Sequence, residues 1–179
     1  MNVKLRGRAP ITIVLSFVTM TFAILSSVST PTYSSVEEKK FWAGLEGEFE
    51  VPPTSTNASG IVMLKNTQDS IWYMINVTDI DNVTAAHIHS GILGENGPIV
   101  ATLFDVDVPI ENVNGTLAQG NHTANMLEGP LLGKQLSDLT MNMQSNTTYV
   151  NIHSTDYPDG EIRGQIMSVD STHAEIMMN

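Results

Sequence analysis

Residues 149–166 read YVNIHSTDYPDGEIRGQI and contain two short β-like runs separated by a turn. The turn chemistry comes from Pro-Asp-Gly at positions 158–160. Because successive side chains of a strand point to opposite faces, an apolar residue at every second position marks the buried face. This alternation predicts that residues 149–153 and 161–167 are the paired strands of an antiparallel hairpin.

Similar β-like runs recur along most of the chain. Residues 60–65 and 70–77 are joined by a loop of ordinary hairpin length. Further runs are separated by turn residues, and they cover positions 40–45, 85–89, 99–104 and 113–118. About eight strands at this spacing are typical of a β-sandwich or a β-barrel. One short helix is predicted near 132–143, where apolar residues recur at helical spacing: Leu132, Leu136, Leu139 and Met143.

The N-terminus has the residue order of a secretory signal. Residues 1–8 include three basic residues, residues 11–25 are apolar apart from serine and threonine, and small residues follow at 26–29. The uncharged stretch is also long enough to span a bilayer, so residues 10–30 are an alternative membrane anchor. In both cases we expect the rest of the chain outside the cell, either secreted or at the cell surface.

The chain therefore divides into four predicted segments. They are a signal peptide or membrane anchor at 1–29, a linker at 30–39, a β-sandwich domain at 40–168 and a C-terminal tail at 169–179. A domain of this size buries a core without covalent staples. The absence of cysteine agrees with that expectation.

The exported part is strongly acidic. The full chain has a formal charge of −11 from 8 basic and 19 acidic residues. Without Lys4, Arg6 and Arg8 the charge is −14, because only five basic residues remain. Such a surface repels nucleic acid and anionic lipid headgroups. We therefore expect no nucleic-acid partner, and membrane contact only through an uncleaved N-terminal segment.

Six sites have the Asn-x-Ser/Thr pattern of N-glycosylation, which predicts a glycosylated surface. The candidate sites are Asn57, Asn76, Asn82, Asn114, Asn121 and Asn146.

Strand alternation also predicts a polar patch on the face opposite the core. Ile88 falls on one face of its strand, while the histidines on either side of it fall on the other. The same argument applied to residues 149–153 and 161–166 places further polar side chains on non-core faces. If the three strands share one sheet, the patch contains His87, His89, Asn151, His153, Glu161 and Arg163.

Two hypotheses explain this patch. His87, His89 and His153 form the ligand set of a zinc or copper site with an open position. Alternatively, Glu161 and Arg163 pair with the histidines and with backbone groups, so that the patch is a structural network that orients loops 90–98 and 154–160. The usual nucleophile and nucleotide-binding motifs are absent from the sequence, so we expect no enzyme activity and no catalytic residues.

Three blocks of the sequence resemble the chordin (CHRD) domain family. Residues 41–60 read FWAGLEGEFEVPPTSTNASG, residues 86–103 read AHIHSGILGENGPIVATL, and the third block is 149–166. The blocks occur in the family's order and extend over most of the predicted domain. The resemblance implies an all-β, antiparallel, Greek-key-like sandwich of immunoglobulin-like or related topology.

The resemblance also implies an extracellular role but no settled chemistry for the patch. We expect a cell-surface or secreted module that binds a protein, glycan or matrix component, or that is purely structural. The alternative is an extracellular zinc- or copper-binding protein. No cofactor is expected under the first hypothesis.

Overall fold

The computed structural model of the protein describes residues 38–67 and 69–169. The predicted signal peptide or anchor at 1–29, most of the linker and nearly all of the tail at 169–179 lie outside these residues. No helix in the described part of the chain has the length and apolar character needed to cross a membrane.

The described residues form nine strands and one α-helix, with three short 3₁₀ turns (Gly47–Phe49, Ala124–Met126, Gly129–Leu131). The strands are β1 (Lys40–Glu46), β2 (Ser59–Asn66), β3 (Ile71–Ile80), β4 (Val83–Ser90), β5 (Ile99–Ile110), β6 (Val113–His122), β7 (Thr148–Ser154), β8 (Ile162–Gln165) and β9 (Met167–Ser168). Both predicted hairpins are confirmed, since β2 pairs with β3 and β7 pairs with β8, in each case antiparallel.

The strands belong to one antiparallel sheet in the order β5-β4-β7-β8-β1-β2-β3-β6, with β9 paired to β1. The expected sandwich of two separate sheets is therefore corrected to a single sheet. The reason lies in β8, which hydrogen-bonds to β7 on one side and to β1 on the other. Three strands on one side of β8 (β5, β4, β7) and four on the other (β1, β2, β3, β6) are thus joined into a continuous surface.

The sheet curls until it is nearly barrel-shaped. The edge strands β5 and β6 lie at opposite ends of the strand order, yet only residues 111–112 connect them. The Tyr73 hydroxyl on β3 also donates a hydrogen bond to the Leu103 carbonyl oxygen on β5 at 2.5 Å. The short connection and this hydrogen bond bring the two ends of the strand order together.

The core lies inside the curled sheet and is formed by alternate residues of each strand. On β4 and β7 the inward residues include Ile88, Val150 and Ile152, which are fully buried. The side chains between them therefore point to the outer surface of the sheet, as the alternation predicts.

The helix α1 (Leu136–Gln144) begins four residues later than the predicted start at Leu132. Leu132 is 73 % exposed and is followed by Gly133 with φ of +73°, which is incompatible with a right-handed helix. Asp138 accepts a hydrogen bond from the Gln135 backbone N–H at 2.9 Å and so caps the helix start. Leu139 and Met143 are buried in the core.

Candidate functional site

The outer surface of β4, β7 and β8 brings the predicted patch together. The three strands are adjacent, with β7 in the middle. His87 lies opposite Asn151, which in turn lies opposite Arg163. His153 lies two pairs further along, opposite Ala85, and therefore on the same face. The structure therefore places residues from three separate parts of the sequence on one small surface.

The three histidine rings converge. The Nδ1 atom of His87 lies 3.0 Å from the Nε2 atom of His153. The ring centroids of His87 and His89 are 5.8 Å apart, and those of His89 and His153 are 6.4 Å apart. One nitrogen from each ring can be chosen so that all three lie within 4.8 Å of one another.

Backbone carbonyls orient two of these rings. The Nδ1 atom of His89 lies 2.8 Å from the Gly97 carbonyl oxygen, and that of His153 lies 2.9 Å from the Pro158 carbonyl oxygen. A carbonyl only accepts hydrogen bonds, so each Nδ1 carries the proton and each Nε2 carries a lone pair. The Nε2 atom of His89 is buried and has no hydrogen-bond partner among the described residues.

The histidines have environments that favour neutral imidazoles. Burial, together with the neighbouring rings of His153 and His89, lowers the pKa of His87 to about 4. Burial also lowers the pKa of His89 and of His153, although the hydrogen bonds to Gly97 and Pro158 oppose that shift. At neutral pH all three rings are therefore unprotonated at one nitrogen, which is the form that binds metal ions.

Arg163 pairs with backbone groups, as the sequence predicts, but not with the histidines. Its guanidinium donates hydrogen bonds to the Asn96 side-chain oxygen at 2.9 Å, to the Glu95 carbonyl oxygen at 2.5 Å and to the Ile92 carbonyl oxygen at 3.5 Å. The side chain is only 1 % exposed. None of these described hydrogen bonds involves a histidine. Arg163 instead holds the loop between β4 and β5, and the predicted orientation of loop 90–98 is thus observed.

Tyr149 links Arg163 to the histidines and was not among the predicted site residues. Its ring stacks on the His89 imidazole with centroids 4.8 Å apart, and the Arg163 guanidinium carbon lies 3.4 Å from the ring centroid. The Tyr149 hydroxyl accepts a hydrogen bond from the Gly97 N–H at 3.1 Å. The alternation of Tyr149 with Asn151 and His153 is a sequence signal that could have identified it.

Gly97 occupies a position where a side chain does not fit. A Cβ atom at this position would overlap the carbonyl oxygen of Ser90. The loop can approach β4 closely only because this residue is glycine, and the close approach brings its carbonyl to His89.

Asn151 and Glu161 are the remaining two residues of the predicted patch. Asn151 is buried, and its Oδ1 atom has no hydrogen-bond partner within the described ranges. The Glu161 carboxylate accepts a hydrogen bond from the Thr56 hydroxyl at 2.7 Å, and its carbonyl accepts one from the Thr54 hydroxyl at 2.6 Å. Glu161 thus fixes the loop that precedes β2, and no described hydrogen bond joins it to a histidine.

Glu50 is a second residue that sequence reasoning missed. It is 6 % exposed, and its Oε1 atom is buried without a hydrogen-bond partner in the described part of the chain. A Cβ atom at Gly160 would lie 2.5 Å from that oxygen, so the absence of a side chain there makes room for the carboxyl group. Burial raises the pKa of Glu50 to about 7, although the positive charge of Arg163 opposes the shift.

The six candidate glycosylation sites have accessible side chains. Four of these asparagines are exposed (Asn57, Asn114, Asn121 and Asn146), and two are partly exposed (Asn76 and Asn82). Their modification stays a prediction.

Comparison with known proteins identifies the domain. Residues 41–166 match the family model of the CHRD domain, so the match covers more than half of the chain. The three sequence blocks that resemble this family all lie within or at the edge of that range, and the predicted resemblance is confirmed. No curated protein and no solved structure matches the chain significantly.

Replacement of Arg163 by methionine should destabilise the protein strongly. The substitution removes the guanidinium that holds the Glu95 carbonyl and the Asn96 side chain, and the loss of these charge-assisted hydrogen bonds costs about 3 kcal/mol of unfolding free energy. Arg163→Lys should recover part of this loss, because lysine keeps the charge but not the planar fork. Urea denaturation measures the effect, with the exposed Lys134→Met as control; equal midpoints for both methionine variants would contradict this account.

Glu50→Gln should stabilise the protein increasingly as the pH rises. The pKa of Glu50 is about 7 in the folded state against an ordinary value of 4.5. Its contribution to stability is therefore fully present below pH 4.5 and is lost as the pH rises through 7. We expect the melting temperature of Glu50→Gln relative to the wild type to increase by about 5 °C between pH 5 and pH 8.

The control for this experiment is Glu48→Gln, a substitution at an exposed carboxylate two residues away. Its melting temperature should follow the wild type at every pH. A Glu50→Gln curve parallel to the wild-type curve would show that the carboxyl group ionises normally in the folded protein.

Proposed function

The chain belongs to the CHRD domain family, and we propose that it is an exported module that binds a zinc or copper ion at His87, His89 and His153. The centre is proposed for binding and not for catalysis. Within the described residues, the hydrogen bonds of these imidazoles go to one another and to backbone carbonyls, and none goes to a hydroxyl that could act as a nucleophile.

The donor atoms fit a borderline transition metal. Zinc and copper prefer imidazole nitrogen at about 2.0–2.1 Å, which places tetrahedral donors roughly 3.3 Å apart. The three nitrogens lie within 4.8 Å of one another, and the pair from His87 and His153 is separated by 3.0 Å. Small rotations of the rings are enough to bring all three to one ion, with a fourth position left for an outside ligand.

The single observation that carries the proposal is the convergence of His87, His89 and His153, from which one nitrogen each can be chosen so that all three lie within 4.8 Å of one another. Backbone carbonyls hold the Nδ1 atoms of His89 and His153 and so orient both rings. The Nε2 lone pair of His89 has no partner among the described residues, whereas that of His153 accepts a hydrogen bond from His87 Nδ1. A metal ion bound at the cluster replaces that hydrogen bond and displaces its proton. Rings that are oriented through one nitrogen and offer the other to a ligand are typical of metal-binding histidines.

Three neighbouring carboxylates also favour a cation. Those of Glu128 and Asp105 act electrostatically on His87, and that of Asp159 acts on His153. The Arg163 guanidinium, which lowers the pKa of His89, opposes them. The overall negative charge of the protein works in the same direction as the three carboxylates over longer distances.

Export from the cell is part of the same proposal. The basic, apolar and small-residue order of the first 29 residues supports it. Family membership and the six accessible glycosylation sequences are compatible with a secreted or surface location.

A second candidate function is docking of an extracellular protein, glycan or matrix component. The loop clamped by Arg163 carries two exposed apolar side chains, Ile92 and Leu93, of which Leu93 is 71 % exposed. A rigid loop with an apolar tip is a common way to present a binding contact. Docking at this loop is compatible with a metal ion bound at His87, His89 and His153.

The metal proposal predicts stoichiometric metal in protein purified without a histidine tag. Elemental analysis should find about one equivalent of zinc or copper, and His89→Ala and His153→Ala should each lose it because two nitrogen ligands do not hold the ion. Added zinc should raise the melting temperature of the wild type by several degrees and leave both variants unchanged.

The matched control is His122→Gln, since His122 is a buried histidine on β6, outside the cluster. This variant should keep its metal. Metal-free wild-type protein that also fails to bind added zinc or copper, together with early melting of His89→Ala and His153→Ala, would favour the structural network instead.

Export predicts that intact producing cells expose the domain to external protease or amine-labelling reagent. Removal of residues 1–29 should abolish this exposure and leave the protein inside, because the segment supplies the export signal. N-terminal sequencing then distinguishes a cleaved signal from an anchor. A full-length chain protected inside intact cells would contradict the proposed location.

A further inference from the structure

A second group of metal-binding atoms lies on the outer face of another part of the sheet. Four neighbouring strands, β9, β1, β2 and β3, contribute one residue each to a row across this face. The register places Met167 opposite Trp42, Trp42 opposite Met63, and Met63 opposite Met74. Three of these four positions are methionine, although the whole chain has only 10 methionines in 179 residues.

The sulfur atoms of this row face away from the core. Val62 and Leu64, the neighbours of Met63 on β2, are buried, while Met63 is 40 % exposed. Ile75 on β3 is fully buried, which directs Met74 outward, and Met74 is partly exposed. Outward positions of a sheet usually carry polar residues, so this row calls for an explanation.

Met63 and Met74 are directly paired across β2 and β3. The Cβ atoms of such a pair lie about 4.5–5.5 Å apart. Two sulfur atoms that bind one ion in a line are separated by roughly 4.6 Å, given metal–sulfur bonds of about 2.3 Å. The flexible methionine side chain spans this range without any change of the backbone.

Trp42 flanks the pair. It lies opposite Met63, and both side chains line a groove of about 490 Å³ together with Ile61 and Asn76. A Cβ atom at Gly44 would be 3.3 Å from a carbon of the indole, so the ring lies over the glycine backbone. Trp42 is partly exposed, so part of its indole is accessible to a cation, which aromatic faces attract.

We propose that Met63 and Met74 bind a soft monovalent cation of the Cu(I) type beside the indole of Trp42. Thioether sulfur is a soft ligand that selects Cu(I) over zinc, calcium or magnesium. Glu46, whose carboxylate lies in the same groove as Trp42 and Met63, adds negative charge near the ion. This site is independent of the histidine cluster, which lies on β4 and β7.

The alternative explanation is an apolar contact surface. Such a surface would be satisfied by leucine or isoleucine at the same positions, because only area and shape matter to it. A metal site, in contrast, needs the sulfur atoms themselves. Leucine has almost the same volume as methionine, so a Met-to-Leu substitution separates the two explanations.

The test uses silver(I), a soft ion of the same charge that does not change oxidation state, in chloride-free buffer. Silver nitrate is titrated into the full chain while calorimetry and tryptophan fluorescence are recorded. We expect the wild type to bind silver with quenching of its emission, and the double variant Met63→Leu, Met74→Leu to lose at least tenfold in affinity. The matched control is Met141→Leu, which removes an exposed methionine from α1 and should bind as the wild type does.

Two further variants test the position of the silver site and its independence from the histidine cluster. Trp42→Phe should keep most of the silver affinity but lose part of the quenching, because Trp72, the second tryptophan of the chain, lies two pairs further along the same face and still reports binding. His89→Ala with His153→Ala should keep the methionine-dependent binding, so failure of the histidine proposal would not affect this one. Silver binding of equal strength in the wild type and in the double leucine variant, or no binding by either, would overturn the proposal.

Discussion

The buried guanidinium of Arg163 is the interaction on which the outer surface of the sheet depends. A charged group that is taken out of water needs hydrogen-bond acceptors, because burying it unpaired costs several kcal/mol of folding free energy. Arg163 finds its acceptors in the loop between β4 and β5 and places its charge over Tyr149. The backbone of the same residue pairs with Glu46 on β1 and with Asn151 on β7. It therefore lies at the junction of the two halves of the sheet.

This position explains how a distant loop can orient a histidine. Arg163 fixes Glu95 and Asn96, and the next residue along the chain, Gly97, presents its carbonyl to His89 and its N–H to Tyr149. The stacked rings of His89 and Tyr149 then have little freedom to rotate. A ligand that needs the His89 nitrogen meets a ring that is already in place, so binding has less conformational entropy to overcome.

Local patterns in the sequence predict the strands, the two hairpins and the face of each histidine, because these depend only on alternation along a strand. They do not predict that the outer face of β8 is covered. Alternation predicts that Arg163 points away from the core. It does so, but loops cover the side chain and leave it only 1 % exposed. Glu50 was missed for the same reason, since its burial depends on Gly160, 110 positions along the chain. The single sheet also depends on long-range pairing, through β8, that no local pattern contains.

The structural network and the metal centre share some atoms and not others. Each imidazole has two nitrogens, and the network uses one nitrogen of His89, through Gly97, but both nitrogens of His153, through Pro158 and His87. Stacking on Tyr149 uses the face of the His89 ring and leaves its lone pair untouched. A network built in this way stabilises the domain through the Nδ1 atoms while it holds the Nε2 atoms in a fixed arrangement. The stability of the outer surface and its capacity to bind an ion thus follow largely from the same set of contacts, and a metal ion has to replace only the hydrogen bond between His87 and His153.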